Sequence, residues 1–90
     1  MSTVITINII IVVEIKILRK LFEEGLLLGA NVLPAPMESD RYILVFPKAS
    51  GGFEQATRAR DDEAKIYKQT DGAVNDARRI GFKKVTIEFN

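Results

Sequence analysis

The run Val4, Ile5, Thr6, Ile7, Asn8, Ile9, Ile10, Ile11, Val12, Val13 (VITINIIIVV) decides how the rest of the chain is assembled. Its odd positions from Ile5 to Val13 are all β-branched, while its even positions mix Val4, Ile10 and Val12 with Thr6 and Asn8. Branching at Cβ restricts χ1 and suits a pleated surface, so the run predicts a strand. One clean apolar face beside one mixed face places that strand inside a sheet covered mainly on one side. A secretion signal would carry its cations ahead of the apolar stretch, whereas Glu14, Lys16, Arg19 and Lys20 come behind it. A membrane span needs roughly 20 apolar residues, and Thr6, Asn8 and Glu14 interrupt this one. The expectation is a cytoplasmic protein with no membrane partner.

From about residue 14 the period changes. At 100° per residue, Ile15, Leu18, Leu21, Phe22, Gly25 and Leu28 gather on one side, with Lys16, Arg19, Lys20, Glu23 and Glu24 opposite, which predicts an amphipathic helix. Gly25 then faces the sheet, and Gly29 ends the helix in a left-handed conformation. Residues 31–37 hold Pro34 and Pro36, which cannot donate to a ladder, so this segment reads as an edge strand. It forms a hairpin with the run from Tyr42 to Phe46, which is apolar on both faces and therefore central.

After Pro47 the chain turns polar. Glu54 and Arg58, Arg58 and Asp62, and Asp61 and Lys65 are opposite charges four apart, predicting a charged helix with a thin apolar face of Phe53, Ala56, Ala64 and Tyr67. A hairpin turning at Asp61 and Asp62 is the competing reading. Asp71 caps a further helix whose Ala73, Val74, Ala77 and Ile80 share a face, and Gly81 terminates it. Residues 83–89 alternate Val85, Ile87 and Phe89 inward with Lys84, Thr86 and Glu88 outward, the mark of a last strand. The order β, α, β, β, α in two pieces, β predicts an α+β, ferredoxin-like βαββαβ two-layer sandwich.

Ninety residues make one domain, 1–90, with segment 48–70 charged and free to protrude. A net charge of +1 argues for no particular partner. Without cysteine or histidine there is no disulfide, no thiol nucleophile, no thiolate metal site and no imidazole base. No catalytic residue, cofactor or metal is therefore expected, and the chain reads as a non-enzymatic protein. Asp61, Asp62 and Glu63 point apart on a helix and make a solvated face.

In the expected fold both helices cover one sheet face and leave the other free to bind. By alternation that face presents Thr6, Asn8 and Ile10, then Lys84, Thr86 and Glu88, and from the hairpin either Tyr42, Leu44 and Phe46 or Ile43 and Val45. An outward Tyr42, Leu44 and Phe46 would be an apolar stripe needing cover. The expected function is a protein-interaction module, acting as a homodimer, inhibitor or adaptor through this face or the charged segment. The alternative is RNA binding, with bases stacked on Tyr42 and Phe46 and phosphates held by Arg78, Arg79, Lys83 and Lys84. Cations at a helix C-terminus also complement its dipole. Lys48, Ser50, Gly51 and Gly52 at a helix entry could hold an anion, although glycine and serine there are commonly turn and cap residues.

Overall fold

The computed structural model describes residues 15–57 and 64–89. The strand expected over 4–13, with Thr6, Asn8 and Ile10, lies outside them, as do Asp61, Asp62 and Glu63. Helix α1 covers residues 15–23, followed by β1 (Asn31–Pro34), β2 (Tyr42–Pro47), β3 (Phe53–Gln55), α2 (Thr70–Ile80) and β4 (Thr86–Ile87). The fold is α+β, with a four-stranded mixed sheet in the order β3-β2-β1-β4. β1, β2 and β3 form an antiparallel meander, and β4 returns beyond α2 to lie parallel to β1.

This order departs from the ferredoxin-like one. The last strand pairs with Asn31 and Val32, in the segment expected at an edge, so β1 is an inner strand. Its prolines allow this because the β4 pairing ends early. Thr86 N–H donates to the Ala30 carbonyl and Glu88 N–H to the Val32 carbonyl, and no ladder hydrogen bond is asked of Pro34 on that side.

The charged segment is not a helix in its described parts. Gly51 and Gly52, at φ 97° and 72°, reverse the chain out of β2, and Lys48 N–H donates to the Gly52 carbonyl across the turn. Phe53–Gln55 then pairs with β2 as strand β3. Thr57 and Ala64 bridge antiparallel, and Tyr67 exchanges both backbone hydrogen bonds with Tyr42 at 2.9 and 2.8 Å. In its described parts the segment thus leaves and returns in extended form, with backbone partners on β2 and between its own two arms.

Two glycine roles also change. α1 ends where Gly25 takes φ 76°, with Gly25 N–H on the Phe22 carbonyl, so the exposed Gly25 is the helix stop and Gly29 is not. Leu27 bridges Lys48 one register step away from the Asn31–Val45 pairing, so Leu28 and Gly29 together oppose Pro47 as a bulge. α2 is preceded by an extended Gln69 that makes no side-chain cap. Asp71 sits inside the first turn, where it complements the dipole, and is not the cap. Gly81 ends the helix as expected, its N–H on the Ala77 carbonyl at 3.1 Å.

The main core lies between the sheet and the helices. Val32, Leu44 and Phe46 meet Ala73, Ala77 and Ile80 of α2, Leu18 of α1 and Phe82, with Leu21 and Phe22 packed against them. Phe46 stacks on Phe82 at 5.6 Å, and Phe82 meets Phe22 edge-on at 4.6 Å, so a row of rings joins β2 to α1. A second, smaller cluster on the opposite sheet face holds Ala35, Ile43 and Val45 with Leu33 beside them.

One buried polar group ties the returning segment to α2. The Asp76 carboxylate accepts from the Tyr67 hydroxyl at 2.7 Å and from Lys65 Nζ at 2.8 Å, with Arg79 at 3.8 Å. Burial pushes the Tyr67 pKa well above its ordinary value, and the hydrogen bond to Asp76 and that carboxylate's charge push it further, so the hydroxyl stays a donor. Asp76→Ala leaves that hydroxyl without its acceptor and is expected to cost about 1–3 kcal/mol in urea unfolding. Lys65→Met removes only a partly exposed pair and should cost under about 1 kcal/mol. Equal losses from the two changes would show that the ion pair, and not the buried hydroxyl, holds the segment.

Candidate interaction surface

Alternation along β2 divides its side chains between two environments. Leu44 and Phe46 are 0% exposed on the helix side, so neither can meet a partner or stack a base. Tyr42 packs against the same core, and its ring lies edge-on to the exposed Phe89 at 6.4 Å. The two rings form a wall of a shallow cleft of about 350 Å³ that also meets Asp40, Lys68 and Asp71. The sheet-stacking route to RNA, which needed Tyr42 and Phe46 side by side on a free face, is therefore closed.

The residues on the other face of β2 are Ile43 and Val45. They are only 8% and 7% exposed, so this face is not bare along its centre. Its accessible part lies at one end. Leu28 and Phe53 both oppose Pro47, one from each side, and the register puts all three on the face of Val45. Leu28 is 68% and Phe53 66% exposed, the partly exposed Leu26 precedes Leu28 by two residues, and Pro47 is half-buried between its neighbours. The product is an apolar row across three strands. Thr86, paired with Asn31, is exposed on this same face near the opposite edge of the sheet.

Sequence periodicity misses this row because it assigns Leu28 to the buried arc of a longer helix and Phe53 to the inner face of a charged one. The legible signal is the Gly51-Gly52 pair, which fits a hairpin turn as well as a helix entry. That turn also removes the anion reading of Lys48, Ser50, Gly51 and Gly52. No helix starts there, and the N–H groups of Lys48 and Gly51 are used inside the turn, on Gly52 and Lys48 carbonyls.

Arg78, Arg79, Lys83 and Lys84 are all exposed around the end of α2. Arg19 of α1 donates from Nε to the Arg79 carbonyl at 3.1 Å, and from Nη2 to the same oxygen. Among the described residues, no group of three His, Cys, Asp or Glu side chains is placed to hold a metal ion. No described helix is long and apolar enough to cross a membrane.

No family model, no curated protein and no solved structure matches this chain.

Proposed function

We propose that the protein is a non-enzymatic interaction module that pairs with a second copy of itself through the apolar row at the end of the sheet face that the described helices leave uncovered. The observation that carries this is the exposure of Leu28 and Phe53 on either side of Pro47, with Leu26 adjoining. Contiguous apolar groups gain by leaving water at about 25 cal/mol per Å². A two-fold pairing withdraws the same patch from both copies, doubling the gain without requiring a second complementary surface. The flanking groups Thr86 and Asn31 are polar and suit a rim that stays wetted.

Sedimentation equilibrium tests this directly. The expected result is a mass approaching twice that of the chain as concentration rises, reverting to a single chain when Leu28→Asp and Phe53→Ser are combined. Because both side chains are largely exposed, that variant should melt within a few degrees of the parent. A parent protein that stays a single chain at its highest soluble concentration, or a variant that still doubles, would overturn the proposal.

A further inference from the structure

We infer that the outer surface of α1 and the C-terminal end of α2 form one basic face that binds the phosphodiester backbone of a nucleic acid. Near-zero net charge conceals it, because acidic side chains elsewhere offset the cations, which come from two stretches far apart in the chain. Lys16, Arg19 and Lys20 lie on the outward side of α1, three or four positions apart or adjacent, with Glu23 and Glu24 at the far end of that side, and all are exposed. Arg78, Arg79, Lys83 and Lys84 surround the end of α2 and are exposed as well.

Two contacts bring the stretches together. Arg19 bonds the Arg79 carbonyl across 60 positions of sequence. Phe82, between Gly81 and Lys83, packs on Phe22 of α1 at 4.6 Å, fixing the following loop against the same helix. Of the seven cations, only Arg79 has a carboxylate partner among the described residues, and that is Asp76 at a long 3.8 Å. Asp76 itself is engaged by Tyr67 and Lys65. Complementing one helix dipole takes a cation or two in the last turn, and Arg78 and Arg79 already supply them. Lys16, Lys20, Lys83 and Lys84 are surplus to that role.

The chemistry of this surface fits a polyanion dissolved in water. Two of its cations, Arg78 and Arg79, carry planar guanidinium groups that bind phosphate oxygens in pairs, while Arg19 adds its charge from its place on the Arg79 carbonyl. A helix lying on a membrane would turn its apolar side outward. α1 instead commits Leu18, Leu21 and Phe22 to the core, leaving Ile17 as a single half-exposed apolar group beside the cations. The stacking surface of the sheet plays no part, so binding should be insensitive to base sequence. This inference is independent of the proposed self-pairing, which uses the opposite side of the sheet.

Fluorescence anisotropy with short labelled RNA and DNA strands, single and duplex, tests it on the full chain. Counterion release by five to seven phosphate contacts predicts a log–log salt slope of roughly −3.5 to −5 for single strands, so affinity should fall about a hundredfold to a thousandfold between about 50 and 200 mM salt. Lys16→Glu with Lys20→Glu on α1, and separately Arg78→Glu with Lys83→Glu, should each weaken binding at least about tenfold and flatten the slope. The matching glutamine pairs, which only neutralise, should have smaller effects in the same order. Thermal melting of every variant checks that the fold is retained. The RNA and DNA arms tell which backbone is preferred. No binding at low salt, binding lost by only one of the two pairs, or capture by vesicles containing anionic lipid without capture of any oligonucleotide would each overturn the inference. The Leu28→Asp and Phe53→Ser variant should bind nucleic acid like the parent.

Discussion

Replacing Phe46 with alanine is expected to lower the unfolding free energy by about 3–5 kcal/mol, the range for deleting a large ring from a closed core. Phe46 is 0% exposed, stacks on Phe82 and sits between the strand ladder and the helix layer, so little can move in to refill its space. A chain of this size has a total stability of only roughly 5–13 kcal/mol, so the variant should sit close to its unfolding threshold at room temperature. Urea denaturation followed by circular dichroism measures the loss. The milder Val45→Ala, on the sheet's other face, provides the comparison and should cost less because fewer carbons are removed. A loss below about 1 kcal/mol for Phe46→Ala would mean that the ring row joining β2 to α1 does not close the core.

Gly81→Ala should cost a comparable amount, about 2–6 kcal/mol. Gly81 has φ 135°, where a side chain strains the backbone by roughly 1–3 kcal/mol. A Cβ there would also lie 2.6 Å from Phe22 Cε2 and 2.8 Å from Cδ2. The Phe22 ring is held edge-on to Phe82 and cannot swing freely away, which adds the cost of overpacking, about 1–3 kcal/mol. Gly25→Ala separates the two contributions, since Gly25 also has positive φ but nothing within 4 Å of an added Cβ. It should lose only the backbone part. Truncating Phe22 to leucine in the Gly81→Ala background should recover some of the difference, a coupling that a thermodynamic cycle would reveal. Equal losses for Gly81→Ala and Gly25→Ala would remove the role assigned to the ring contact.

Much of this arrangement can be read from local pattern, and the exceptions have definite causes. The run Tyr42 to Phe46 is apolar on both sides, and β2 is indeed buried on both faces; the pattern could not say which set meets the helices, because both sets are apolar. That is settled by register, which places Leu44 beside Val32 and opposite Ala73 and Ala77. α2 is legible from Ala73, Ala77, Ile80 and the terminating Gly81. The prolines of residues 31–37 mislead because a missing N–H restricts only the rung where it would donate, and the β4 pairing covers Asn31 and Val32 alone. The charged segment misleads because charges four apart suit a helix, yet Lys65 finds its carboxylate on Asp76, eleven positions away. Contacts of that range leave no periodic trace. The apolar row and the two-part basic face are hidden for the same reason, each being assembled from residues that only the folded chain brings together.

The parallel contact between β1 and β4 has a consequence for the order of assembly. It is the shortest pairing in the sheet and joins positions as distant as Asn31 and Thr86, whereas β1, β2 and β3 zip through near neighbours in the chain. Loop-closure entropy opposes such a late, long-range join until the helix before it has docked. The seam between β1 and β4 is therefore expected to close after the meander, an order that pulse-labelled hydrogen exchange at the Thr86 and Glu88 amides would check.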